Sequence, residues 1–172
     1  MSINTPPPQT TPGPSFRIGQ GWDTHALVYG RPLVLGGVTI PHSKGLLGHS
    51  DADALLHAII DAMLGAAGMG DIGGLFPDTD AVNKDADSAL LTAQVVAKLH
   101  GAGWFVGNVD CTVVAQAPKL AAHRSSMTKR IAQLLQVEAD CVNVKAKTAE
   151  KMGPVGEGKS IEAQAVVLIT RR

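Results

Sequence analysis

Apolar and polar positions along this chain change rhythm several times, and each rhythm predicts an element. Residues 1 to about 15 (MSINTPPPQTTPGPS) are rich in Pro and Thr and carry no apolar face, which predicts a disordered leader. Phe16–Asp23 reads as a strand, and Pro32–Ile40 reads as strand, turn or bulge, strand around Gly36-Gly37. After Ser50 the residues Leu55, Leu56, Ile59, Ile60, Met63 and Leu64 recur at helical spacing, and Gly65 and Gly68 mark the end of that stripe. Ser50 and Asp53 resemble a capping box with a shortened acid, so this helix is expected to start at Ser50. A second helix runs from Asp87 or Ser88 to about His100, with Leu91, Val95 and Leu99 on one face and Gly101 and Gly103 as its stop. Asn108–Ala115 reads as a strand. Pro118 is expected to open a third helix carrying Leu120, Met127, Ile131, Leu134 and Leu135. Cys141–Lys147 and Ile161–Thr170 read as the last strands. The alternation, without internal repeat, predicts an α/β fold, a mixed β-sheet covered by helices, in one domain over residues 16–172.

Composition narrows the picture. A chain of 172 residues can bury a full core, and with 45% apolar but only 3% aromatic residues that core must be Ala, Val, Leu and Ile. The formal net charge is +0 and no Lys/Arg run stands out, so neither nucleic acid nor an anionic membrane is an expected partner. No apolar stretch has transmembrane length and no signal pattern opens the chain, which points to the cytoplasm. Cys111 and Cys141 read as buried thiols of a reducing compartment rather than as a disulfide. Ala165-Val166-Val167-Leu168-Ile169 is apolar at every position, which predicts a strand buried on both faces, one of them against copies of the chain.

Candidate chemistry starts at Asp23-Thr24-His25. In a strand, residues two apart point to one face, about 6.6 Å apart along it. Asp23 and His25 can therefore converge on one ion, and His57 can complete a ligand set of two imidazoles and a carboxylate with one position left open. Asp53, His57 and Asp61 follow at i, i+4, i+8, off the apolar stripe. The plainer reading is a surface Asp and two hydrogen-bonded histidines. His49 is either a loop residue or a group beside a helix N-terminus, where phosphate is favoured; Ser50 is either a cap or a phosphate donor. Gly70–Asp80, dense in turn residues and carboxylates, is either a connection or part of a site. Lys145, Lys147, Thr148, Glu150 and Lys151 are either a solvated strand end or donors plus a carboxylate for a divalent cation on a polyphosphate. Lys119 carries no signal of its own beyond being a cation at an expected helix start.

Six ordered motifs from about Arg17 onward give these residues a family. G-x-G-W-D-T-H, L-x-L-G-G-V-x-I-P, G-L-L-G-H-S-D-A-D-A-L-L-H-A, G-D-I-G-x-L-F-P-D-T-D, N-V-D-x-T-V-V-A-Q-A-P-K and N-V-K-A-x-T-x-E-K together resemble the 2-C-methyl-D-erythritol 2,4-cyclodiphosphate synthase family. The resemblance implies a homotrimer with active sites between subunits. It implies cyclisation of 4-diphosphocytidyl-2-C-methyl-D-erythritol 2-phosphate with release of CMP, in the non-mevalonate route to isoprenoids. Asp23, His25 and His57 would bind Zn2+, and Glu150 would bind Mg2+ or Mn2+ on the diphosphate. His49 and Thr148 would stabilise the transition state. His49 and Ser50 would contact the phosphates and Asp71 and Gly73 would meet the ribose, with Asp23, Thr24, His25 and Ile72 also among the substrate-binding residues. Phe76, Pro77, Asp78, Thr79 and Asp80 would cover the methylerythritol part. Ala115, Gln116, Ala117, Pro118, Lys119 and Leu120 would hold the cytidine, with Lys147, Thr148, Ala149 and Glu150 beside them.

The chain departs from the family at Gln20, where many members have His, and at Pro154 and Glu157, where some carry Phe and Arg. Lys147 replaces a common Thr. Two other functions fit a zinc site of this kind: a phosphohydrolase using metal-bound hydroxide, and an oligomeric binding protein without turnover.

Overall fold

Fourteen residues, Phe16–Tyr29, form one continuous strand, β1, so the strand expected to end at Asp23 carries both Asp23 and His25. The computed structural model describes residues 13–77, 79–80 and 85–171. Most of the expected leader, residues 1–12, therefore lies outside the described residues. Ser160–Arg171 forms β7, which pairs antiparallel with β1 from Phe16 opposite Thr170 to Ala26 opposite Ser160. Trp104–Val114 (β5) pairs antiparallel with β7, and Val142–Lys147 (β6) pairs parallel with β5. With Lys44–Leu46 (β4) on the far edge, the strand order is β4-β1-β7-β5-β6, a mixed sheet as expected. Leu33–Leu35 (β2) and Val38–Ile40 (β3) form a separate hairpin. Its turn residues Gly36 and Gly37 both have positive φ, the backbone a two-residue hairpin turn demands.

The helices are α1 (Ala54–Ala67), α2 (Ile72–Leu75), α3 (Ser88–Gly101), α4 (Arg124–Leu135) and α5 (Gly153–Gly156). α1 packs on β1 and β7, α3 on α1 and β5, and α4 on β6, so one apolar core forms beneath them. In β7, Ile161, Ala163, Ala165, Val167 and Ile169 are buried in that core while Gln164 and Val166 are exposed. The burial expected for both faces of this strand is thus met on one face within the chain.

A close approach of backbones places α1. Gly19 and Gly21 lie on the inner face of β1, and a Cβ on either would stand 1.9 or 2.0 Å from the carbonyl oxygen of Ala62 or Ala58. Only glycine in the strand and small residues on the helix allow this contact.

Four expectations need correction. α1 starts at Ala54, not Ser50: Asp53 is the cap, its carboxylate accepting from Leu55 N, Leu56 N, Gly36 N and Gly37 N, which ties the hairpin turn to the helix. Asp53 is consequently fully buried and bonded to the hairpin turn, whereas His57 meets Asp23 and Ser88. Ser50 instead closes a local turn, its Oγ accepting from Ala52 N. Pro118 opens no helix; it sits in a turn, a 3-10 turn follows at Ala121–His123, and α4 begins at Arg124. A proline with fixed φ and no N–H suits a turn as well as a first helical turn. β5 starts at Trp104 rather than Asn108, because a bulge between Val106 and Asn108 interrupts the alternation that signals a strand. Cys141 lies on a 3-10 turn and is only half-buried, whereas Cys111 is buried as expected, and burial pushes its thiol up to about 12. Both cysteines are free.

A pair of glycine substitutions measures the close contact. Gly21→Ala puts a methyl group into fixed helix backbone and is expected to cost at least about 2 kcal/mol in urea denaturation. Gly65→Ala, on α1 with nothing within 4 Å of the added carbon, is expected to add about 0.5–1 kcal/mol. Equal effects would show that the strand–helix contact does not constrain the fold.

Candidate metal centre and substrate cleft

β1 and α1 supply three ligand atoms that meet at one point. Asp23 and His25 occupy the inner face of β1 directly after Gly19 and Gly21, and His57 lies one residue before Ala58, the contact of Gly21. Asp23 Oδ2 stands 2.9 Å from His25 Nε2 and 3.0 Å from His57 Nδ1, and the two nitrogens are 3.3 Å apart. Thr24 N donates to the other carboxylate oxygen of Asp23 at 2.8 Å, which turns Oδ2 toward the imidazoles. His25 Nδ1 donates to the carbonyl of Leu47 at 2.7 Å. A carbonyl only accepts, so the hydrogen of a neutral His25 is on Nδ1 and its Nε2 lone pair faces the cluster.

The donor set fits a divalent ion. A tetrahedral ion with bonds of about 2.0–2.1 Å needs ligand atoms roughly 3.3 Å apart, close to the separations present. Burial opposes the charge on Asp23, but the facing imidazoles of His25 and His57 outweigh it and hold the carboxyl well below its usual range. Its negative charge is what distinguishes the triad from three neutral core groups. His57 is buried, as a satisfied core histidine would be, yet its surroundings are polar: Nε2 lies 2.9 Å from Ser88 Oγ and 3.3 Å from Ser50 Oγ.

The triad opens onto a cleft of about 320 Å³ that is also lined by His49, Ser50, Ile72, Gly73 and Phe76. Asp61, one helical turn after His57, accepts from Ile72 N at 2.7 Å and so holds α2 beside α1. Asp71 caps α2 through Gly74 N. The segment that begins at Gly70 is therefore helical over Ile72–Leu75, and its Ile72, Gly73 and Phe76 form a wall of the site. His49 Nε2 is buried without a hydrogen-bond partner among the described residues, a polar atom left for a ligand. Thr24 lies on the opposite face of the sheet, its hydroxyl donating to Ile161 O. Pro77, Thr79 and Asp80 follow the wall without lining the cleft, and Asp78 lies outside the described residues.

A second cavity of about 190 Å³ gathers Ala115, Gln116, Pro118, Lys119, Leu120, Lys147 and Thr148 at the ends of β5 and β6. These parallel strands stay in register to Val114 opposite Lys147, and Ala115 N donates to Lys147 O. Ala117, Ala149 and Glu150 adjoin this cavity without lining it; Glu150 accepts from the Thr148 hydroxyl. Lys145 is turned away, paired with Asp110 at 2.5 Å. Asp23, Ala163, Val113 and Ala146 form one cross-strand row, so both cavities lie at the same end of the sheet, three strand steps or about 14 Å apart.

Sequence reasoning missed Leu47, Gly48 and Leu91 in the cleft, and Arg31, whose Nη2 donates to Ser50 O at 2.5 Å. Leu91 reads as core in any helical pattern. Arg31 is nineteen residues from its partner, with no periodic signal to connect them.

Comparison with known proteins places the chain in a family. The sequence matches the YgbB family over residues 16–170. It is 59% identical over 157 residues to a 2-C-methyl-D-erythritol 2,4-cyclodiphosphate synthase of Burkholderia lata, covering 91% of this chain and 98% of that protein. It is 60% identical to a bifunctional IspD/IspF enzyme of Albidiferax ferrireducens, of which it spans only 38%. Among solved structures, a CDP complex of IspF from Plasmodium falciparum superposes with a TM-score of 0.81 at 37% identity, covering 92% of this chain and 97% of that one.

Removing one ligand tests the centre. His57→Ala places a good helix former in α1, so the circular dichroism spectrum is expected to stay unchanged. Elemental analysis is expected to show loss of the stoichiometric divalent metal. Retention of one ion per chain would rule His57 out as a ligand.

Proposed function

The chain belongs to the YgbB family, and we propose that it is a 2-C-methyl-D-erythritol 2,4-cyclodiphosphate synthase of the non-mevalonate route to isoprenoid precursors. It converts 4-diphosphocytidyl-2-C-methyl-D-erythritol 2-phosphate to the 2,4-cyclodiphosphate and CMP. The observation that carries this reading is the convergence of Asp23, His25 and His57 within 3.3 Å, in a cleft that also holds His49 and Ser50.

An oxygen of the substrate's 2-phosphate attacks the β-phosphorus; the bond from that phosphorus to the oxygen bridging it to the α-phosphate breaks, and CMP leaves with the electron pair. The nucleophile comes with the substrate, so no protein nucleophile is needed and no water is consumed. Asp23, His25 and His57 would hold Zn2+ and Glu150 would hold Mg2+ or Mn2+, ions that would supply Lewis acidity and charge neutralisation at the diphosphate. His49 and Ser50 meet the phosphates from the cleft wall, and Thr148 joins His49 in stabilising the developing charge. Asp71 and Gly73 receive the ribose with Ile72 beside them, and Phe76, Pro77, Asp78, Thr79 and Asp80 the methylerythritol part. Ala115 to Leu120, with Lys119 as the cation and Lys147 and Ala149 beside them, receive the cytidine. Holding both phosphates in line is worth up to ~7–11 kcal/mol of the barrier.

The working unit is a homotrimer. Two observations support it: the ligand triad and the cytidine cavity of one chain lie about 14 Å apart, and the outer face of β1 and β7 leaves Phe16, Ile18, Trp22 and Val166 between 45% and 64% exposed. An active site shared by neighbours uses one chain's triad and the next chain's cavity. Among the described residues no helix is long and apolar enough to cross a membrane. We assign the enzyme to the cytoplasm on its two free thiols.

Phosphorus NMR of the protein with the diphosphocytidyl substrate is expected to show CMP and one cyclic diphosphate in equal amounts. Inorganic phosphate would instead make it a hydrolase, and tight binding without turnover a binding protein. Sharing of the site is tested by co-expressing the inactive variants His57→Ala and Thr148→Ala. Random trimers are expected to regain about a quarter of wild-type activity, whereas sites built within single chains would give none.

A further inference from the structure

His57 reaches the ligand cluster through Nδ1, and this works only if its hydrogen is on Nε2. The opposite tautomer would aim an N–H at the cation and remove one ligand. What sets the tautomer lies behind the ring, and it comes from a different helix.

Ser88 is the first residue of α3 and fully buried. Its Oγ stands 2.9 Å from His57 Nε2 and 2.5 Å from Asp51 Oδ1. A hydroxyl has one hydrogen, and an ionised carboxylate has none to give. The Ser88 hydrogen therefore goes to Asp51, and Ser88 Oγ must accept from His57 Nε2–H. Ser50 Oγ is farther from Nε2, at 3.3 Å, and already accepts from Ala52 N. Asp51 is itself fixed: Oδ2 accepts from Ser88 N at 3.1 Å, Oδ1 accepts from Asp53 N at 3.2 Å, and its own N–H donates to Ala86 O at 3.1 Å.

We propose that Asp51 and Ser88 are positioning residues of the metal centre: a carboxylate–hydroxyl–imidazole relay that pins His57 as the Nε2–H tautomer and aims its Nδ1 lone pair at the ion. All hydrogens in the relay point toward Asp51, so each bond polarises the next and raises the electron density on Nδ1. The relay also makes the start of α3 part of the metal centre, although no residue of α3 is a ligand. It rests on the reading of Asp23, His25 and His57 as a metal triad.

The test uses metal-free full-length protein and Zn2+ titrated in competition with a chromophoric chelator. Wild type is expected to bind one ion per chain. Ser88→Ala and Asp51→Asn are each expected to weaken binding about 10–100-fold. Asp87→Ala removes the α3 cap bond to Ala89 N without touching the relay, and is expected to bind as wild type does. Nitrogen-15 NMR of the metal-free proteins reads the tautomer directly: Nε2–H in wild type and in Asp87→Ala, a mixture in the two relay variants. Wild-type affinity and tautomer in Ser88→Ala would overturn the relay while leaving the triad standing. If Ser88→Ala does not fold, the same readings on Asp51→Asn decide. Equal weakening by Asp87→Ala would show that only the integrity of the helix end matters, which also overturns it. Failure of wild type to bind any ion would instead remove the triad itself.

Discussion

The contact of α1 with β1 is the constraint from which the rest of this structure follows. Gly19 and Gly21 leave no side chain on the inner face of the strand where the Ala62 and Ala58 carbonyls press against it. Helix and strand backbones thus meet directly instead of through a layer of side chains. The inner face of β1 continues with Asp23 and His25, and the helix has His57 beside Ala58. With a larger residue at position 21 the helix would stand off, and His57 Nδ1 could not lie 3.0 Å from Asp23 Oδ2. The convergence of the three candidate ligand atoms is therefore a by-product of a packing choice made two and four residues earlier. Asp53 secures the same helix from its other side, drawing four backbone N–H groups from two elements onto one buried carboxylate.

Four carboxylates cluster around α1, and their partners separate their roles. Burial raises the pKa of Asp53 and of Asp61, and backbone N–H donors work against that rise. Both groups spend their lone pairs on backbone, Asp53 on the helix cap and hairpin turn and Asp61 on the start of α2. Asp51 takes a hydroxyl and two backbone N–H groups. Asp23 alone of the four faces two imidazoles, and they hold it ionised against its burial. An ion entering this region meets one carboxylate whose charge is not already committed to the fold.

What the sequence revealed and what it hid follow from how local each signal is. The Asp23/His25 pair was legible because a strand puts alternate residues on one face, and His57 because it falls off the apolar stripe of α1. The second helix was legible from its periodicity, with its cap narrowed to Asp87 or Ser88, and the structure selects Asp87. The helix start at Asp53 was not, since Ser50, Asp51 and Asp53 are all good cap residues; the choice was made by Gly36 and Gly37, which approach from another element. The reach of β5 back to Trp104 was hidden by a bulge, and the turn at Pro118 by a residue that suits two conformations. Partners such as Arg31 for Ser50 and Ser88 for His57 are tertiary facts, invisible to any periodicity. Motif resemblance supplied the roles of His49, Thr148 and Glu150, which spacing alone left open.

An active site shared between neighbouring chains, as proposed, would explain a feature of the surface. A sheet with helices on one face normally keeps polar side chains on the other. Here that face carries Phe16, Ile18, Trp22 and Val166, and two of them belong to the chain's small set of six aromatic residues. β1 carries Asp23 and His25 on its inner side, so a partner seated on the outer face would also fix their position relative to its own cavities. Apolar burial of roughly 25 cal/mol per Å² would then stabilise the assembly. It would also restrain β1, the strand whose inner row of Gly19, Gly21, Asp23 and His25 sets the distance between the two imidazoles. Assembly and metal geometry would be coupled through a single strand, with the contact outside and the chemistry inside separated by one side-chain alternation.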